Sequence, residues 1–190
     1  LKIIEMGKKE GINITCEATP HHFSFSDDEI LKNAYDTNFK MSPPLREISD
    51  VKAVREALKS GLIDVIATDH APHHTDEKIV EFDKAPFGII GLQTLVPLTL
   101  KLVNEGVISL ERMVELTSTN AAKMLNLKDK GRLAEGMLAD ITVIDPEIEY
   151  IYDEKINRSK SVNSPLFGKK LKGAATTTIK SGKIVYEFGK

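Results

Sequence analysis

Gly61-Leu-Ile-Asp-Val-Ile-Ala-Thr-Asp-His-Ala-Pro-His-His74 holds a mostly apolar run, Leu62 to Ala67, that soon gives way to an acid, Asp69, and three histidines, His70, His73 and His74. A short β-branched run bounded by Gly61 and a turn at Pro72 reads as a buried parallel strand, because strands covered on both faces carry continuous apolar residues rather than an alternation. The C-terminal ends of such strands are where α/β proteins gather their reactive groups. The run therefore predicts an α/β fold with an acid-base or metal site at Asp69.

Working outward, Ile12 to Glu17 reads as a second strand, and a helix from Asp50 to Lys59 leads into the first. Strand, helix, strand is the crossover unit of a parallel sheet or barrel. Between them lie a polar loop through His21 and His22, a short helix over Asp27 to Asn33 with Ser26 as its expected cap, and a loop from Tyr35 to Arg46. Pro43 and Pro44 forbid regular structure in that loop. Leu1 to Glu10 reads as a helix closed by Gly11. A chain that opens inside a helix, without Met, is expected to be the C-terminal piece of a longer protein.

Downstream, the stretch from Asp69 to Gly88, at about 20 residues, exceeds the usual length of a connection and is expected to be functional. Helices follow at Leu92 to Asn104, Leu110 to Thr117 and Asn120 to Leu125, with Ser109 and Thr119 as caps. From Gly131 the pattern changes to short β segments, Asp140 to Ile144, Ala174 to Ile179 and Lys183 to Phe188, separated by turn residues. Two units are expected, residues 1–126 and a β-rich segment 127–190.

Composition narrows the classes. A net charge of -2 with 28% charged residues gives no general attraction to nucleic acid or an anionic membrane. The local group Arg158, Lys160, Lys169, Lys170 and Lys172 reads as a solvated face. Cys16 is the one cysteine, which excludes an internal disulfide, fits a reducing cytoplasm and reads as a small buried hydrophobe. No apolar stretch reaches the roughly 18 residues that span a bilayer.

Carboxylate oxygen and imidazole nitrogen are both good zinc ligands, and two adjacent strand ends bring Asp69, His70, His73 and His74 into range of His21 and His22. Loop histidines are also commonly exposed or merely hydrogen-bonded, and an aspartate at a strand end also caps a turn. Both readings stay open on the residues alone. An ordinary carboxyl group, with a pKa of about 3.9, is ionised at neutral pH, so it can hold a cation or carry a proton to a leaving nitrogen.

Four stretches settle on one family: Glu17-Ala-Thr-Pro-His-His22, Thr37-Asn-Phe-Lys-Met-Ser-Pro-Pro-Leu-Arg46, Ala67-Thr-Asp-His-Ala-Pro-His73 and Ala85-Pro-Phe-Gly-Ile-Ile-Gly-Leu-Gln-Thr94. In this order they closely resemble the C-terminal half of bacterial-type (class I) dihydroorotases. Gly131-Arg-Leu-Ala-Glu-Gly-Met-Leu-Ala-Asp-Ile-Thr-Val-Ile-Asp145 looks like the amidohydrolase signature where the chain leaves the barrel for a β-sandwich. The resemblance covers essentially the whole chain. It implies the C-terminal part of a (β/α)8 barrel, with its seventh and eighth strands, followed by segments of a small sandwich.

It also implies a binuclear zinc centre and the interconversion of N-carbamoyl-L-aspartate and dihydroorotate in pyrimidine biosynthesis, in the cytoplasm. By resemblance, Asp69 binds a zinc and serves as general acid/base, His73 holds a substrate carboxylate, and Phe87 and Gly88 line the pocket. Ser42 stands where the family usually has a substrate-contacting asparagine, so a bridging water is the expectation there. His21, His22, His70 and His74 are then structural. The family's other ligands fall on strands before Leu1, and the 190 residues alone are expected to be inactive and prone to self-association as a homo-oligomer. The rivals are an allantoinase or hydantoinase, against which the Phe87-Gly88 motif speaks, and a non-catalytic homologue that partners aspartate transcarbamoylase, against which Asp69 and His73 speak.

Overall fold

The computed structural model describes residues 1–189. Helix α1 (Lys2–Lys9) precedes strand β1 (Glu17–Ala18). Helices α2 (Pro20–Ser24) and α3 (Asp28–Lys32), a 3-10 turn over Thr37–Phe39 and α4 (Ile48–Ser60) then lead to β2 (Val65–Ile66). β1 and β2 run parallel, with Glu17 opposite Val65 and Ala18 opposite Ile66. The parallel α/β crossover is present, but β2 is much shorter than its apolar run, and the expected strand Ile12 to Glu17 is corrected to Glu17–Ala18, meeting it only at Glu17. Regular pairing covers two residues a side, extended by backbone bonds from Asp64 to the Cys16 carbonyl (3.0 Å) and from Ala67 to the Ala18 carbonyl (3.1 Å).

Sequence periodicity explains α4: Val51 and Leu58 are buried and Val54 half-buried on one face, and the helix ends at Gly61, whose φ of +86° is the left-handed cap that glycine adopts without strain. α1 is tied to β2 by Lys8, whose ammonium pairs with both carboxylate oxygens of the partly buried Asp64 at 2.7 Å. Cys16 is half-buried and its thiol donates to the Leu62 carbonyl at 3.4 Å.

Beyond β2, a short helix α5 (Thr75–Lys78) breaks up the long connection. Helix α6 (Leu95–Asn104) is followed by α7 (Leu110–Val114), a π-helical turn (Glu115–Thr119) and α8 (Asn120–Met124) in direct succession. The Ser109 hydroxyl caps α7 by accepting from the Arg112 amide at 3.1 Å. Two expected caps are corrected. Thr119 stands inside the continuous helix and its hydroxyl donates instead to the Gly131 carbonyl at 2.8 Å. Ser26 is buried, and α3 begins behind Asp27 with no side-chain cap.

The β-rich segment forms an antiparallel sheet in the order β3 (Ile141–Ile151), β4 (Lys170–Lys180), β5 (Lys183–Glu187), with β3 and β4 longer than their apolar segments. Among the expected solvated cations, Lys170 and Lys172 pair with Glu149 and Glu147 across the β3–β4 ladder at 2.6 and 2.8 Å. β4 meets α6 where Gly173, at φ +85°, leaves room for Leu100.

The main core joins Ala18 and Ile66 of the strands to Phe23, Leu58, Leu98, Leu102, Met113 and Leu116 of the helices. A smaller cluster of Phe39, Met41, Leu45 and Ile89 sits under the strand ends. Among the described residues no helix is long and apolar enough to cross a membrane.

Candidate active site

Three segments meet beyond the C-terminal ends of the parallel strands. Residues 69–73 continue β2, residues 87–91 lie alongside through a parallel bridge between His70 and Ile89, and residues 40–44 form a third wall. The Ala71 amide donates to the Ile89 carbonyl at 2.9 Å, and the Gly88 amide to the Lys40 carbonyl at 2.8 Å. Burial of Met41, Leu45 and Ile89 in one cluster fixes the proline-containing wall against the other two.

Asp69 takes a left-handed backbone conformation, φ +48°, which non-glycine residues adopt rarely and aspartate more readily than most. The residue is exposed, and its carboxylate makes no hydrogen bond or ion pair among the described residues. An exposed carboxylate without a partner in the chain is free to meet a ligand, although Ala34, Tyr35, Asn126 and Ser181 share the left-handed backbone. Ser42 is also exposed, and its hydroxyl makes no hydrogen bond among the described residues.

His73 is oriented. Its Nε2–H donates to the Phe87 carbonyl at 2.9 Å, which places a proton on Nε2 and turns Nδ1 toward the Glu77 carboxylate at 3.5 Å. A carboxylate is therefore already the neighbour of the second ring nitrogen. Glu77 is held in turn by the backbone amide of His74 at 3.0 Å, while the His74 ring accepts from the Asp76 amide at 3.3 Å. His74 thus caps α5, a structural use. His70 has one as well, its Nδ1 accepting from the Gly91 amide at 3.1 Å, and burial holds its ring below the usual imidazole range.

The Phe87 ring is 55% exposed and the Lys40 ammonium lies 4.8 Å from its centre. Both backbone groups of Gly88 are used inside the chain. Its amide meets Lys40, and its carbonyl accepts from Lys78 Nζ at 3.2 Å and from Asn163 Nδ2 at 3.3 Å. Glycine is required here by φ +102° and by Ala71, whose Cβ lies 2.6 Å from where a Gly88 Cβ would stand. His22 braces the third wall, with Nε2 donating to the Pro43 carbonyl at 2.8 Å and Nδ1 meeting the Thr19 hydroxyl at 2.7 Å.

His21 is only 2% exposed, and its Nε2 has no partner among the described residues. Burial, helped by the neighbouring His22, pushes its pKa down to about 3. The folded state therefore holds His21 neutral while the unfolded chain protonates it near 6.5. Stability from this group is complete above about pH 6.5 and declines as pH falls toward 3, by about 3 kcal/mol at pH 4.5. Urea unfolding of His21→Phe is expected to lose that part of the acid slope; an unchanged slope between pH 6.5 and 4.5 would assign it to other groups.

Sequence reasoning missed Lys78 and Asn163. Both are buried, and both bind the walls of the site through partners far along the chain or inside a loop, so no local spacing marks them. Three cavities, of about 190, 220 and 350 Å³, are lined by neither Asp69, Ser42, His73, Phe87 nor Gly88. Among the described residues no three His, Cys, Asp or Glu side chains converge to hold a metal ion. One carboxylate is not the four-donor set a zinc site needs, so these residues do not by themselves fit a resident metal.

The parallel α/β unit thus carries an exposed acid, Asp69, and a hydrogen-bonded histidine, His73, on the segment that follows β2. The chain belongs to the amidohydrolase family, which residues 8–185 match. It is 52% identical over 187 residues to the dihydroorotase of Geobacter metallireducens and 49% identical over 186 residues to that of Pelobacter propionicus, covering 98% of this chain and 43% of each relative. The L-hydantoinase (dihydropyrimidinase) of Arthrobacter aurescens superposes on the whole chain with a TM-score of 0.92 and 31% identity, over 43% of its own length. The chain thus spans less than half the length of these relatives. Family membership implies a metal cofactor.

Proposed function

We propose that this chain supplies one side of the active site of a cytoplasmic, zinc-dependent dihydroorotase, acting reversibly on N-carbamoyl-L-aspartate and dihydroorotate. On this reading β1 and β2 are the seventh and eighth strands of a (β/α)8 barrel made with a longer polypeptide, residues 1–126 belong to the barrel and residues 127–190 to the small sandwich. The observation that carries it is the unpartnered Asp69 carboxylate on a left-handed residue just beyond β2, on the same segment as the hydrogen-bonded His73. The high identity to dihydroorotases supports the choice of substrate.

The residues present divide the work. Asp69 takes a proton from the water that attacks the ring carbonyl and passes it to the amide nitrogen as the C–N bond breaks, and it carries the proton the other way when the ring closes and water leaves. His73, with Nε2–H on the Phe87 carbonyl, holds the substrate carboxylate through Nδ1 in its doubly protonated imidazolium form, the position Glu77 faces here. Ser42 offers a hydroxyl from the third wall, directly or through water, and the Phe87 ring covers the pocket. Asp69 is the one position of this chain that the reading gives to the metal, so the remaining donors come from elsewhere.

The likeness to L-hydantoinase supports a second reading, a cyclic amidohydrolase of hydantoins, which have no carboxylate for His73. Assays of the complete protein with dihydroorotate, hydantoin and allantoin separate the two, and hydantoin turnover above that of dihydroorotate sinks the first. The 190-residue chain by itself is expected to hydrolyse none of them, with or without added zinc. Turnover by the isolated chain would mean that its own residues complete the site.

A further inference from the structure

Asn163 lies between β3 and β4, 90 residues beyond His73 in the chain, and is 4% exposed. Its Nδ2 donates to the Ala71 carbonyl at 2.9 Å and to the Gly88 carbonyl at 3.3 Å. Its Oδ1 accepts from the His73 amide at 3.2 Å, and its backbone carbonyl accepts from the Ile90 amide at 3.1 Å. One residue of the β-rich segment therefore ties the segment that carries His73 to the segment that carries Phe87 and Gly88.

The carboxamide suits this place because it offers two donors and an acceptor in one small plane, and all three are used. Lys78, 7% exposed, closes the other side by donating to the Pro86 carbonyl at 2.9 Å and to the same Gly88 carbonyl at 3.2 Å. Burial brings its ammonium down to about 8, which keeps a three-donor head among carbonyls below that pH. The Gly88 carbonyl thus has both lone pairs occupied, one from each side of the site.

We propose that Asn163 is a positioning residue for the substrate-carboxylate site, setting the spacing between His73 and the Phe87–Gly88 wall so that both engage one substrate. This rests on the reading that His73 holds that carboxylate. It makes the β-rich segment a part of the binding site, since the fastening that orients His73 comes from there. Loss of Asn163 frees the His73 backbone and with it the ring, whose hold on the Phe87 carbonyl depends on the same spacing. The chemistry at Asp69 has no direct bond to Asn163, so binding suffers more than turnover.

Two measurements test it. In the 190-residue chain, Asn163→Ala is expected to speed hydrogen exchange of the His73 amide at least about tenfold while leaving the Leu98 amide, bonded to the Thr94 carbonyl at 3.1 Å, unchanged. Asn163→Asp, nearly isosteric, keeps the acceptor and loses the donors, so it is expected to preserve protection at His73. In the complete enzyme both variants are expected to raise KM for dihydroorotate about tenfold with kcat within about threefold, and to have no such effect when His73 is already Ala. Unchanged exchange at His73 in Asn163→Ala overturns the clamp, and an equal rise in KM in the His73→Ala background overturns its role in positioning. If the unmutated complete enzyme does not turn over dihydroorotate, the dihydroorotase reading fails, while the exchange result still decides whether Asn163 sets the strand.

Discussion

Asp69→Asn in the complete enzyme is expected to lower kcat about 10³-fold while leaving the melting temperature of the protein unchanged. Stability is spared for two reasons visible in the chain. The carboxylate makes no hydrogen bond or ion pair among the described residues, so no contact is lost. Asparagine also tolerates the left-handed backbone at φ +48° as well as aspartate does. Asp69→Ala is the poorer test, because alanine at that φ adds strain and mixes folding with chemistry. What asparagine lacks is the capacity to take up and release a proton, so the rate should fall without a matching rise in KM. Activity of Asp69→Asn within tenfold of the unmutated enzyme would remove the proton carrier from this position.

Much of this arrangement is legible in the sequence, and the exceptions have physical causes. The run Leu62 to Ala67 announces a buried strand, and the strand is there in parallel with its partner. Its paired length is not legible, since an apolar run records burial and not which amides find a carbonyl across the gap. Thr119 was expected to cap because threonine hydroxyls compete well for backbone groups, but the same hydroxyl is as well satisfied by the Gly131 carbonyl, and the helix runs on through it. The cap of α5 was invisible for the opposite reason, because histidine is not a usual capping residue, although His74 and Glu77 form both bonds of a capping box.

The site divides in the same way. Asp69, His73, Phe87 and Gly88 lie in dense motifs, whereas Asn163 stands in an ordinary polar loop. Its importance comes from bonds to Ala71 and Gly88, 92 and 75 residues away, which no local pattern encodes. By resemblance Gly88 is expected to line the pocket. The chain gives the glycine a second reason, which is the approach of Ala71 from the neighbouring strand.

That reason leads to the other large effect. Gly88→Ala is expected to cost about 3 kcal/mol or more in urea unfolding and to abolish turnover of the complete enzyme. A Cβ at Gly88 would stand 2.6 Å from the Ala71 Cβ, and neither backbone is free to yield. Ala71 is bonded to the Ile89 carbonyl through its amide and to Asn163 through its own carbonyl, while Gly88 is bonded to Lys40, Lys78 and Asn163. The φ of +102° adds a separate cost, since that region lies outside the left-handed well that other residues visit. The two costs separate in a double variant. Ala71→Gly in the Gly88→Ala background removes the clash and leaves the backbone strain, so stability should return in part, to within about 1–3 kcal/mol of the parent. Gly136→Ala gives the scale for strain alone, because Gly136 has φ +79° and no atom within 4 Å of the added Cβ, and about 1 kcal/mol is expected there. If Gly88→Ala unfolds at the same urea concentration as Gly136→Ala, the close packing of the His73 strand on the Phe87–Gly88 strand is not what this glycine serves.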